Sequence, residues 1–313
     1  MYLSPDEARS DVILAGAATV FGGVLLALLL SAPGVPRRGL GAELIQLVSL
    51  FVLSGLTPYL LARYRDDVPG AFGLAAGRPV PWGPALLLAA PVVVLGVLRG
   101  LIVTGALGPG VLGRPARALG SPVVGTGGVD VLGLVLEVVA IAVLTVGTLL
   151  LIGFLVVRGR DAFRDDERSS TELLRTFGVA AAGAAVLFGG LRSLRGGEFR
   201  FLPLLLDVLA LGAVVLIADR MVPPGAVVTR PAVLTPVVLV LIAHVLAAGG
   251  LFRGDLLLGL TTGSLAAGVV LVLAIVAEHH RTTAVLVPLL LAVHWWPTCL
   301  GPLPLARAGA CLT

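Results

Sequence analysis

The sequence predicts an all-α, polytopic transmembrane helix bundle of about nine spans, with eight to ten permitted by two short segments. Three observations carry this reading. Of 313 residues, 58% are hydrophobic and 13% are charged, against roughly 45–50% and about 25% in soluble domains. The mean hydropathy is +1.06, more apolar character than a soluble domain can hide. The apolar residues also fall into runs able to cross about 30 Å of hydrocarbon, separated by connections rich in arginine, proline and glycine.

In chain order the runs are 12–32, 43–63, 83–106, 131–157, 176–191, 201–218, 231–252, 256–277 and 282–303. The first follows Ser4-Pro5-Asp6-Glu7, which lacks a basic leader, so it reads as an uncleaved anchor or an ordinary bundle member. The third begins after Arg78-Pro79-Val80-Pro81-Trp82-Gly83-Pro84, and the fourth after the Gly- and Pro-rich stretch 107–128. Runs 176–191 and 201–218 are short at about 1.5 Å rise per residue, and read as tilted, half-inserted or buried in the bundle. Pro223-Pro224-Gly225 marks the turn before the seventh run. No connection is long enough for a soluble domain. Residues 1–313 therefore form one integral membrane domain, with 158–175 a charged connector between spans four and five.

All 22 basic residues are arginine. Without lysine there is no retinal or pyridoxal Schiff base and no P-loop. Without asparagine there is no glycosylation sequon. A net charge of +4 and a pI near 9.8 would point to nucleic acid in a soluble protein. Here the arginines sit between apolar runs and read as topology signals, with the lipid bilayer and not nucleic acid as partner. With nine spans, the N-terminal side holds 12 arginines and the opposite side 9. The bias rests on Arg158, Arg160, Arg164, Arg168 and Arg175, and it predicts a multi-pass cell-membrane protein with a cytoplasmic N-terminus. Ser169-Ser170-Thr171-Glu172 has the spacing of a helix-capping start.

Ionisable residues inside the runs are informative because each costs at least about 2.5–3.5 kcal/mol at a helix centre and so turns toward the bundle interior. They are Arg99, Glu137, Asp207, His244 and His294. At about 1.5 Å per residue, all five fall in the membrane half away from the arginine-rich side. Two imidazoles and a carboxylate are ligands suited to a Zn²⁺-like divalent metal, with His244 and His294 the candidate pair and Glu137 the candidate general base toward bound water. The same layer could relay protons, and haem between the histidines is a further option. The structural alternative pairs Arg99 with Glu137, bonds the histidines to neighbouring carbonyls and leaves Asp207 near an interface. Glu278-His279-His280-Arg281 reads as an interfacial turn, and Trp295-Trp296 as part of an aromatic belt. Gly189-Gly190, Gly249-Gly250 and the stretch 178–185 read as sites of close helix packing. Cys299 and Cys311 read as free thiols.

Several segments carry a family likeness. Pro58-Tyr59-Leu60-Leu61-Ala62-Arg63, then Phe72-Gly73-Leu74 and Trp82-Gly83-Pro84, resemble the early part of CPBP (CAAX-type) intramembrane proteases. Leu151-Ile152-Gly153-Phe154-Leu155 is similar to the tail of that family's first motif. The segment from Val186 to Arg192 resembles its Phe-x-x-x-His motif through Phe188, and the helices ending at His244 or His294 resemble its last motif. The resemblance implies a helical scaffold over about residues 40–300. The departures fall on the chemistry. Gly147, Thr148 and Ile152 stand where the family has a glutamate pair followed by arginine, Arg192 replaces the histidine, and the final asparagine is missing.

Three functions follow as expectations. The first is a diverged, noncatalytic CPBP-like scaffold with an interaction or maturation role and a membrane-protein partner. The second is a secondary transporter using the polar layer for protons or a small-molecule substrate. The third is an intramembrane metal-dependent protease with a rebuilt site. The balance leans away from an enzyme, because a shared scaffold does not carry catalysis with it.

Overall fold

The computed structural model describes residues 3–31, 48–49, 51–74, 80–104, 131–196, 201–247, 255–296 and 299–302. Among the described residues the protein is all-α in class, with 84% helical. Its elements in order are α1 (Pro5–Ser31), a π-helical turn (Val52–Leu56), α2 (Thr57–Tyr64), α3 (Val68–Ala71), α4 (Trp82–Thr104), α5 (Val131–Ala162) and strand β1 (Glu167–Ser169). There follow α6 (Ser170–Gly196), α7 (Phe201–Met221), β2 (Val227–Thr229), α8 (Arg230–Ala247), α9 (Leu256–His280), a 3-10 turn (Ala284–Leu286) and α10 (Val287–Trp295). Among the described residues, three helices are long and apolar enough to cross a membrane: Val138–Ala162 in α5, Ser170–Arg195 in α6, and Leu256–His280. Trp82–Leu98, Arg230–Leu246 and Ala284–Trp295 are shorter apolar helices. The chain is thus a helical membrane protein.

Two expected spans differ from simple rods. Run 282–303 breaks. The nine residues of α10 reach only about 14 Å, and Trp296 after it is extended at φ −82°, ψ 148°. Within run 43–63, the described chain is a π-helical turn followed by α2, and the Thr57 hydroxyl donates to the Val52 carbonyl at 3.2 Å.

The connector 158–175 also resolves into regular structure. Its start completes α5, its middle is β1, and Ser170 opens α6. β1 pairs antiparallel with β2 in the register Glu167↔Thr229 and Ser169↔Val227. Each strand follows a helix and a tight turn, and each runs directly into another helix. The two units exchange equivalent bonds: Ser170 N–H donates to Ala226 O at 3.0 Å, and Arg230 N–H to Asp166 O at 2.8 Å. The offset between Asp166 and Ala226 equals that between Ser170 and Arg230, so α5-β1-α6 and α7-β2-α8 form a local pseudo-two-fold pair. Gly225 permits the second turn, since its φ of 83° is one that side chains resist.

Helix α9 stands at the centre, in contact with α5, α6, α7 and α8. Lipid tails are as apolar as leucine, so close packing rather than water exclusion holds such a helix. Small residues make that contact possible. A Cβ at Gly268 would lie 2.7 Å from Leu211 Cδ2, and one at Gly263 would lie 3.1 Å from His244 Cβ. Gly189 packs tightly on Leu204, whereas Gly190 and Gly183 have nothing within 4 Å, and Gly249-Gly250 lie outside the described residues. The tightest main-chain approach is between α5 and α8, where a Cβ at Gly159 would meet Ala232 Cα at 2.7 Å. Gly159→Val is expected to destabilise the protein by about 1–3 kcal/mol, read as a lower thermal unfolding temperature in detergent. Gly183→Ala is expected to hold or raise that temperature, because it meets no neighbour and favours helix.

Candidate functional site

The helix directions give the bundle two ends. One gathers the start of α1, the turn after α2, the end of α5, both strands and the end of α9, and is called the strand end here. Its first polar feature is an ion-pair network. Arg158 and Asp11 have side chains only 1% exposed, and Arg158 Nε lies 3.5 Å from Asp11 Oδ2. Arg158 Nη1 donates to Asp67 Oδ2 at 3.2 Å, and the guanidinium lies 5.6 Å from the Phe154 ring centroid. Arg65 extends the chain of charges, at 3.3 Å from Asp11 and 3.0 Å from Glu7. Glu7 precedes the first apolar run, and the main chain and hydroxyl of Ser4, then Arg65, hold its carboxyl below the usual carboxylate range. Arg9 closes the set by donating to the Ala162 carbonyl at the C-terminus of α5 at 3.3 Å, where a cation suits the helix dipole. Arg158 is therefore a buried structural ion.

Beside this network a cavity of about 540 Å³ opens under the sheet, within the volume range of ligand pockets, about 300–1,000 Å³. Arg160, Arg164 and Arg281 line it together with Asp161, Glu167 and the hydroxyl residues Thr229, Thr282 and Thr283. α5 supplies Arg160 and Asp161, and Arg281 caps α9 in the left-handed region at φ 55°. Behind the wall lies Glu278, 3% exposed. Its Oε1 accepts from Thr229 Oγ1 at 3.3 Å and lies 3.8 Å from Arg281 Nη1, while Oε2 is buried without a hydrogen-bond partner. The sequence pattern Glu278 to Arg281 predicts an interfacial turn. The helix instead continues through His280, which turns the carboxylate inward.

The second polar region lies in the far half, about 21 Å from the strand end along α7 and α8. Here the structure brings three predicted residues together around the chain's own tail. Asp207 Oδ2 accepts from Cys299 N–H at 3.1 Å. His244 Nδ1 bonds Val240 O at 2.9 Å, and its ring also bonds the Gly301 main chain. His294 Nδ1 lies 3.3 Å from Thr145 Oγ1, and a Cβ at Gly301 would sit 3.9 Å from its Cδ2. Asp207, His244 and His294 are all buried. The side chains of Arg99 and Glu137 lie outside the described residues. Cys299 is disulfide-bonded, which corrects the free-thiol expectation; Cys311 lies outside the described residues. Of the motif-like pair, Phe188 is half-buried and Arg192 donates to Asp255 Oδ2 at 2.9 Å. Asp255 also caps α9 by accepting from Leu258 N–H at 3.0 Å.

Among the described residues, no three His, Cys, Asp or Glu side chains converge as a metal would require. The described contacts of His244 and His294 are with the Val240 carbonyl and the Thr145 hydroxyl. No family model, curated protein or solved structure matches the chain. The strand-end residues were missed in the sequence because Arg158, Arg160 and Arg281 looked like ordinary boundary arginines. The signal was Asp11, a carboxylate at the edge of an apolar run.

Arg158→Ala is expected to cost about 3–5 kcal/mol, because it leaves Asp67 without this guanidinium and the buried Asp11 with Arg65 alone. Denaturant unfolding of purified protein checks this, with Asp6→Ala, whose partner Arg9 is exposed, expected to change stability by less than about 0.5 kcal/mol.

Proposed function

We propose that the protein is a noncatalytic, multi-pass binding protein of the cell membrane whose working site is the strand-end cavity. One contrast carries the reading. The far polar layer is occupied by the protein's own tail, with Asp207, His244 and His294 turned to residues 299–301. The strand end instead keeps about 540 Å³ of open, charged volume. A diverged CPBP-like scaffold accords with this, since two residues at its altered motif positions serve packing: Thr148 is buried in α5 and Arg192 ties α6 to the cap of α9.

A carrier is the second reading. The paired α5-β1-α6 and α7-β2-α8 units flank α9, and α10 stops inside the bundle; repeats and broken helices recur in transporters.

In nine-span form, the strand end faces the cytoplasm. Two independent features favour that orientation: the arginine excess there, and the disulfide at Cys299 near the opposite end, since disulfides persist in oxidising compartments. A cysteine introduced at Asp165 is expected to react with an impermeant maleimide only after cells are permeabilised. Labelling in intact cells would reverse the orientation.

Native mass spectrometry of protein extracted from its own membrane tests the site. A bound small molecule is expected on the wild type and on His244→Gln, and lost from Arg281→Gln. Retention by Arg281→Gln with loss from His244→Gln would move the working site to the far layer and favour the carrier.

A further inference from the structure

Helix α6 packs on α7 and α9 and leaves another face uncovered. Glu172, Thr176, Val179, Gly183, Gly190 and Leu194 fall within an arc of about 60° on that face at 3.6 residues per turn. Val179 is 70% and Leu194 77% exposed, and a Cβ at Gly183 or Gly190 would have nothing within 4 Å. Other outward faces carry large side chains, such as Ile13 and Phe21 on α1 or Leu86 and Val94 on α4. Glycine weakens a helix interior relative to alanine, and in lipid its use is to let a second backbone come close. Thr176, Gly183 and Gly190 recur every seven residues, the repeat of a left-handed helix pair.

The chain itself shows what fills the corresponding place on its other hairpin. The offset that takes Ser170 to Arg230 in the local two-fold takes Val179 to Leu239. Leu239 is covered by α1: a Cβ at Gly16 would lie 3.4 Å from Leu239 Cδ1. α1 and α8 both run away from the strand end. The buried face of α1 repeats small residues at the same spacing, Ala8, Ala15 and Gly22. Arg9 precedes Gly16 by seven residues, as Glu172 precedes Val179. A helix of the α1 kind lying on α6 therefore sets a cation beside Glu172.

Glu172 decides the class of occupant. It is exposed, and among the described residues its carboxylate has no ion pair, whereas Arg175 one turn on is held by Asp219 at 2.9 Å. A second copy joined through this face about an axis along the membrane normal would set two Glu172 carboxylates against each other. A different helix with a cation at that level meets charge with charge.

We propose that the open face of α6 docks a membrane-spanning helix of another protein, with small residues at seven-residue spacing and an arginine or lysine at the strand end. The inference does not rest on the cavity or its ligand.

The test places the full-length protein in phosphatidylcholine vesicles with labelled peptides and reads association by fluorescence transfer. One probe is residues 5–31 of this chain, one the same peptide with Arg9→Glu, and one with Ala8→Leu, Ala15→Leu and Gly22→Leu. The first is expected to bind at least tenfold more tightly than the third. Gly183→Leu in the protein is expected to weaken it at least tenfold with an unchanged circular dichroism spectrum, since position 183 meets no neighbour in the chain. Glu172→Arg is expected to reverse the preference between the first probe and the Arg9→Glu peptide. Equal binding of all three probes, or binding that Gly183→Leu leaves intact, overturns the docking face. Self-association of the protein that Gly183→Leu abolishes assigns the face to a second copy and overturns the foreign partner. In the native membrane, a photo-crosslinker at Val179 is expected to join a protein other than this chain, with the yield cut at least tenfold by Glu172→Arg and no adduct from the same group at Phe21. Adducts with lipid alone overturn the proposal.

Discussion

A charge buried beside an apolar medium must have a counter-charge, and in this protein that requirement is met around Arg158. Its guanidinium reaches Asp11 on α1 and Asp67 in the turn before α3, with the Phe154 ring close by. These contacts join segments far apart in sequence at one end of the bundle. Arg65 then ties Asp11 to Glu7. The arrangement fixes where α1 lies against α5, and so which face of α5 is left to meet α8 and α9. Gly153 shows the consequence nearby: it sits under the Phe72 carbonyl and the Thr283 methyl, a packing that admits no Cβ without movement. Thr283 in turn donates its hydroxyl to Phe72 O at 2.7 Å. The end of α9 is thereby attached to the same corner that Arg158 anchors.

The small sheet has a similar organising role. Two tight turns, each between antiparallel helices, would leave main-chain donors and acceptors at the bundle end without partners. Pairing β1 with β2 satisfies them mutually and sets α6 and α8 on either side of α9. The cavity is a by-product of this construction. The sheet roofs the space between the ends of α5 and α9, and both ends carry arginines because both leave the apolar layer there. Headgroup depth, a roof of strands and a bipolar lining thus arise from one arrangement.

In the far half the opposite occurs. α10 ends inside the bundle, and the described residues after it, Trp296 and 299–302, are not helical. Irregular backbone at membrane depth needs partners from within the protein. Asp207 provides one for the Cys299 N–H and His244 another for the Gly301 main chain, with Leu300 fully buried between them. Two of the residues that looked most like chemistry in the sequence, Asp207 and His244, are thus engaged in holding a broken segment. An imidazole and a carboxylate are suited to either task, and only the identity of the neighbour separates the two.

How much was legible in the sequence follows from these cases. Composition and run length determined the helical membrane class, and the arginines marked the ends of several helices, because the cost of burying charge and backbone depends on residue type and is readable one position at a time. Rise per residue likewise set Asp207 and His244 at a common level along their helices, where both meet the 299–301 backbone. Other features needed the folded chain. α9 and α6 are both apolar, yet α9 is enclosed while much of α6 faces outward, and in lipid no hydrophobicity difference distinguishes these faces. The break in run 282–303, the pairing of β1 with β2, the inward turn of Glu278 and the partner of Arg158 are each decided by groups distant in sequence. Tertiary structure settled them because the energy of a buried polar atom depends on what stands within about 3 Å of it, and a linear order of residues does not contain that distance.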